Sequence, residues 1–131
     1  ARVAAVESDA AAVGDLSRNC AAAGLRHVRV IEAPAEDVLA AFRTHRLTPD
    51  VIVLDPPRGG IGTRASERLA RLPAQRIVHV SCDPATLARD LGVLTQARWS
   101  LLRVTGFDLF PQTPHVEAVA VLERAGAKGS S

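Results

Sequence analysis

Apolar positions along the 131-residue chain fall into short unbroken runs and longer stretches spaced at helical intervals. Arg2-Val3-Ala4-Ala5-Val6-Glu7 is an apolar run closed by an acid and reads as a strand. Ser8 or Asp9 then caps a helix running to about Ala23, in which Val13, Leu16, Cys20 and Ala23 share one face. Gly24 stops it, and Cys20 is expected in the core. Val28-Arg29-Val30-Ile31 is a second strand, followed by a helix from about Ala35 to Thr44 that turns Val38, Leu39 and Phe42 inward. Asp50-Val51-Ile52-Val53-Leu54-Asp55 is the strongest strand signal, and its continuous apolar run predicts a parallel strand covered on both faces. Pro56-Pro57 forbid its extension, and Arg58-Gly59-Gly60-Ile61-Gly62 make a turn-rich loop. A short helix around Ser66–Arg71 leads to a strand at Arg76–Ser81. The next helix buries Leu87, Leu91 and Leu94. Two late strands, Trp99–Val104 and Val116–Glu123, have no helix between them and should pair antiparallel.

Alternating strands and helices predict a doubly wound α/β domain with a mostly parallel sheet. In such sheets ligands sit at the carboxyl ends of the strands. Glu7, Asp55 and Cys82 all fall at or just after such an end. The pattern reads as one domain over residues 1–124 with a flexible tail at 125–131, and 47% hydrophobic residues suit a globular chain. No apolar run is long enough to span a membrane, and no signal-peptide pattern is visible, so a cytoplasmic location is expected. Cys20 and Cys82 form no metal motif and no disulfide framework. A net charge of +2 gives no strongly basic nucleic-acid face, although nearly all the basic residues are Arg, which suits forked phosphate contacts.

The stretch Val78-His79-Val80-Ser81-Cys82-Asp83-Pro84-Ala85-Thr86-Leu87 organises the candidate chemistry. It reads as a buried strand ending at Ser81 that delivers Cys82 into the turn before a helix. Asp83 can cap that helix, and Pro84 suits its first position. The partial positive charge at the helix start favours a thiolate over a thiol. Glu7, ending one strand before a helix, suits a ribose diol. Asp55-Pro56-Pro57-Arg58 holds an acid and a guanidinium on a rigid loop, and the guanidinium can fork to a phosphate or carboxylate. Glu117 starts the last strand near the same sheet edge, where a buried carboxylate can accept a proton. His115 suits a supporting role, while His27, His45 and His79 show no ligand spacing and are read as non-functional.

Three segments together resemble the RNA uracil-5-methyltransferase family. They are Leu54-Asp55-Pro56-Pro57-Arg58, Val80-Ser81-Cys82-Asp83-Pro84-Ala85-Thr86-Leu87-Ala88-Arg89-Asp90 and Phe110-Pro111-Gln112-Thr113-Pro114-His115-Val116-Glu117. The resemblance covers Arg2 to Arg124. It implies a Rossmann-like, class I S-adenosylmethionine-dependent methyltransferase sheet, mostly parallel with an antiparallel last strand. It also implies Cys82 as nucleophile, Glu117 as the proton-abstracting base and Glu7 as the ribose-binding acid. Asp55 serves cofactor and substrate, with Arg58, Gln112 and His115 as further substrate contacts and no metal. The implied partner is ribosomal or transfer RNA, methylated at C5 of a uridine through a covalent Cys–C6 adduct.

The chain begins at the family's second strand, without the first strand and its glycine-rich loop. It therefore reads as the C-terminal catalytic part of a larger enzyme, expected to be inactive and to bind the cofactor weakly by itself. Pro34 stands where the family places an adenine-contacting acid, between Glu32 and Glu36. The absent strand would lie between Val3–Val6 and Val51–Leu54, so self-association through those apolar edges is expected. The alternative reading is a non-catalytic domain that binds RNA or a protein partner.

Overall fold

The computed structural model describes residues 1–44, 48–109, 112 and 116–126, with side chains described through residue 42 in the first stretch. Ten elements follow one another: β1 (Val3–Glu7), α1 (Ala10–Ala22), β2 (Val28–Glu32), α2 (Ala35–Thr44), β3 (Val51–Leu54), α3 (Gly62–Ala70), β4 (Arg76–Ser81), α4 (Pro84–Gln96), β5 (Trp99–Phe107) and β6 (Glu117–Arg124). They divide into two compact units, Ala1–His45 and Arg46–Ser131. No helix among the described residues is long and apolar enough to cross a membrane.

In the first unit β1 and β2 pair in parallel, from Val3 with Val28 to Glu7 with Glu32. Asp9, of the two capping residues the sequence allows, caps α1 by accepting the Ala12 N–H at 2.8 Å. Gly24 ends the helix region with φ 67°, a conformation that side chains resist. None of the residues of α1 is buried. Cys20 is half-buried rather than in a core, because a two-stranded sheet offers the helix little surface to cover.

The second unit holds a four-stranded sheet in the order β3-β4-β6-β5. β3 and β4 are parallel, while β6 runs antiparallel to both β4 and β5. The two late strands pair as expected, with a register shift between Leu101 and Arg103. One face of the sheet carries Ile77, His79 and Ser81 of β4 with Ala118, Ala120 and Leu122 of β6, all buried. α3 and α4 pack together and supply Leu69, Leu87, Leu91 and Leu94 to the same core. The opposite face is less covered. Val51 and Val53 are 53% and 68% exposed, so the expected burial of β3 on both faces is not met at those positions.

α3 starts at Gly62, four residues before the sequence placed its helix. No local side chain caps it. The Ile61 N–H is instead taken by the Asp90 carboxylate from α4, which leaves no signal in the neighbouring sequence. The other end of α3 is held by Arg124 at the end of β6. Its guanidinium donates to the carbonyls of Ala74 at 3.1 Å, Ala70 at 3.4 Å and Leu72, and lies 4.7 Å from the Trp99 ring centroid. A cation here satisfies the Ala70 carbonyl, which the helix cannot pair itself, together with two carbonyls of the segment that follows it. Trp99, buried, donates its indole N–H to the Ala70 carbonyl as well.

A lysine at position 124 keeps the charge but cannot fork over several carbonyls. Arg124→Lys is therefore expected to lower stability by roughly 2 kcal/mol, from the loss of charge-assisted hydrogen bonds. Denaturant unfolding monitored by Trp99 fluorescence checks this; an unchanged midpoint would show that the contacts carry no weight.

Candidate active site

Cys82 sits in a turn that its neighbours build on both sides. The buried Ser81 hydroxyl accepts the Asp83 N–H at 3.1 Å and donates to the Asp83 carbonyl at 3.0 Å. One side chain thereby pins the residue after Cys82 at both backbone groups. Asp83 then caps α4 by accepting the Thr86 N–H at 2.8 Å, with Pro84 in the first turn where no N–H is required. The Asp83 carboxyl is held below its ordinary value of 3.8, first by the Thr86 backbone N–H, with Arg58 contributing a smaller electrostatic pull. Cys82 is a free, half-buried thiol at this helix start.

The sheet brings the candidate proton acceptor, Glu117, to the end of the strand that precedes Cys82. The antiparallel ladder between β4 and β6 runs from Arg76 opposite Glu123 to Ser81 opposite Ala118. Glu117 comes one residue before Ala118 and Cys82 one residue after Ser81, so both lie just past the last pair of this ladder. Glu117 is half-buried and is itself held in the sheet by pairing with Phe107 of β5. Asp55 follows the end of β3, the parallel neighbour of β4, so its strand ends at the same edge. Asp55 and Arg58 are both exposed there.

The loop carrying Arg58 is stapled to α4. The Thr86 hydroxyl donates to the Arg58 carbonyl at 3.0 Å, and the Arg89 guanidinium donates to the Gly59 carbonyl at 2.8 Å. Asp90 accepts the Ile61 N–H at 2.8 Å. The sequence reading quoted Ser81, Thr86, Arg89 and Asp90 within a motif but gave them no role. The spacing of Thr86, Arg89 and Asp90 at i, i+3 and i+4 was the available signal, since it sets them on one helical face.

Glu7 lies in the other unit, at the carboxyl end of β1. Its Oε1 accepts the N–H groups of Ser8 at 2.6 Å and Asp9 at 2.9 Å, which fixes the carboxylate at the turn into α1. The Glu7 carbonyl accepts the Ala33 N–H at 3.0 Å, which anchors the Glu32-Ala33-Pro34 segment beside it. Gln112 is exposed with φ 67°. His115 falls outside the described residues. No group of three metal-ligating side chains occurs among the described residues.

The sequence pattern of the family described as tRNA (uracil-5-)-methyltransferase matches residues 1–125. The chain belongs to this family. The chain is similar to an RNA methyltransferase of Thermotoga maritima, 45% identical over 93% of this chain and 27% of its own length. Another, from Streptomyces avermitilis, is 47% identical over 95% of this chain and 28% of its own length. A solved structure of the tRNA (uracil-54, C5)-methyltransferase of Pyrococcus abyssi, in complex with S-adenosyl-L-homocysteine, superimposes with a TM-score of 0.77 at 32% identity. That match covers 92% of this chain and 28% of the archaeal enzyme. The chain thus spans little more than a quarter of the relatives it matches. Its α/β fold is that of the Rossmann-like methyltransferases of this family.

The lowered pKa of Asp83 sets a pH dependence for the turn. A group whose folded pKa lies below its unfolded one stabilises the fold fully above the unfolded value and loses that contribution as pH falls through the folded value. The stability gap between the wild type and Asp83→Ala is therefore expected to hold from neutrality to near 3.8 and to close at lower pH. Chemical denaturation across that range measures it, and a gap unchanged down to about pH 2 would contradict an ionic cap.

Proposed function

We propose that this segment carries the nucleophile and the base of an enzyme that methylates C5 of a uridine in transfer or ribosomal RNA. The observation that supports this reading is the β4–β6 register, whose last pair, Ser81 with Ala118, leaves Cys82 and Glu117 each one residue beyond it at the same end of the ladder. A soft nucleophile and a separate carboxylate are what this substitution needs. C5 of uracil is a weak nucleophile until a thiolate adds at C6 and converts the ring into an enolate. Cys82 makes that C–S bond, and the electron pair passes to the C5–C4–O4 system. Once C5 is methylated, Glu117 removes the remaining C5 proton. The electrons of that C–H bond form the C5–C6 double bond and expel the Cys82 sulfur.

S-adenosylmethionine is the methyl donor in this reading and supplies an electrophilic methyl on a sulfonium. Glu7 suits its ribose, because Oε1 is committed to the turn while a carboxylate has acceptor capacity for a diol beyond two N–H groups. Asp55 serves the edge where cofactor and uracil meet, and Arg58, Gln112 and His115 serve the RNA.

The test uses RNA containing 5-fluorouridine, in a full-length family member carrying this segment. Fluorine at C5 cannot leave as a proton does, so the covalent adduct persists. Cys82→Ser is expected to abolish the adduct on a denaturing gel; a trapped serine variant would refute the assignment. With ordinary RNA, Glu117→Gln is expected to accumulate a methylated protein–RNA adduct, detected by mass. Turnover at the wild-type rate in that variant would remove Glu117 from the mechanism.

A further inference from the structure

We propose that Asp90 is a positioning residue that locks the Asp55–Ile61 loop onto the helix that follows Cys82. Its consequence for catalysis rests on the reading of Cys82 given above. The Asp90 side chain is fully buried, yet it is neither the nucleophile nor the proton acceptor. Its Oδ2 accepts the Ile61 N–H at 2.8 Å. Its Oδ1 receives the Arg89 guanidinium through Nε at 3.1 Å and Nη2 at 2.8 Å. Arg89 Nη2 in turn donates to the Gly59 carbonyl at 2.8 Å. The carboxylate and its counterion therefore each grip the same loop. A buried carboxylate without partners is costly, so the loop cannot leave α4 without exposing or orphaning Asp90.

Gly60 shows that the loop is shaped around this pair. Its φ is 70°, and a Cβ there would come within 2.5 Å of Asp90 Oδ2 and 2.7 Å of Arg89 Nη2. A third element joins from behind. Nδ1 of the fully buried His79 lies 2.9 Å from the Val80 carbonyl, which can only accept, so Nδ1 carries the proton. His79 Nε2 has no hydrogen-bond partner among the described residues and faces Asp90 Oδ2 at 3.5 Å. His79 stands on β4 two residues before Ser81. The strand that delivers Cys82, the helix that follows it and the loop after Asp55 thus meet at one carboxylate.

The test compares wild type, Asp90→Ala and Arg89→Gln by amide hydrogen exchange and proton chemical shift in this chain. It adds 5-fluorouridine trapping in the longer enzyme. In Asp90→Ala the Ile61 amide is expected to exchange about tenfold or more faster and to shift upfield, while the Leu122 amide in the sheet core is unchanged. The maximal trapping rate should fall about tenfold at an RNA half-saturation altered by less than about twofold. Unchanged exchange at Ile61 overturns the lock. So does a parallel rise at Leu122, which marks Asp90 as general support for the fold. If Asp90→Ala does not fold, Arg89→Gln decides, with faster exchange over Gly59–Ile61 expected and an unaltered loop refuting the proposal. Trapping at the wild-type rate with Ile61 released overturns the positioning role. If the wild-type enzyme traps no RNA, the reading of Cys82 fails, and the exchange comparison alone decides the lock.

Discussion

The antiparallel strand β6 can satisfy the sheet in only one register. Its alternate residues Ala118, Ala120 and Leu122 fill the core beside Ile77, His79 and Ser81 of β4, and a slip of one residue would turn all of them to the other face. The register is pinned at its far end as well, where Arg124 reaches the carbonyls at the end of α3 and covers Trp99. Burial of apolar side chains and satisfaction of a helix terminus thus fix, some seven residues away, where Glu117 starts β6, one residue before the Ala118 that pairs with Ser81. Core packing and placement of the candidate base are one constraint.

The turn around Cys82 follows a related economy. Ser81 is buried because its backbone belongs to the core face, and its hydroxyl would be unsatisfied there without the two Asp83 groups it binds. The need to satisfy a buried hydroxyl therefore shapes the turn that presents the thiol. Asp83 and Thr86 extend the arrangement into α4, and Thr86 bonds the Arg58 carbonyl as well as that of Asp83. Helix capping and loop anchoring share the same hydroxyl.

Much of this was legible in the sequence, for physical reasons that differ between elements. The strands at Val51–Leu54 and Arg76–Ser81 announce themselves by apolar runs bounded by proline, glycine or a cap. The Asp83-Pro84 start of α4 announces itself by helix-terminus chemistry. α3 was misplaced because its N-terminal N–H is satisfied from Asp90, twenty-nine residues away along the chain, and local reading sees only local partners. The exposure of Val51 and Val53 escaped notice because an apolar run records what a strand can bury, not what lies against it. His79 shows no ligand spacing, and Asp90 stands within a motif that marks no role for it. Their significance is a matter of burial, which composition and spacing do not encode.

The fit of Gly60 against Asp90 bears on how this loop could change over evolutionary time. A larger residue at 60 needs room that Asp90 and Arg89 both occupy, and it must also tolerate a positive φ. A smaller residue at 90, arriving first, strands the Ile61 amide and takes the ion pair from Arg89. Each order of substitution passes through an intermediate with a steric or hydrogen-bonding penalty, so the two positions constrain each other. Variation is then left to the side chains flanking the loop, while the path of its backbone stays fixed.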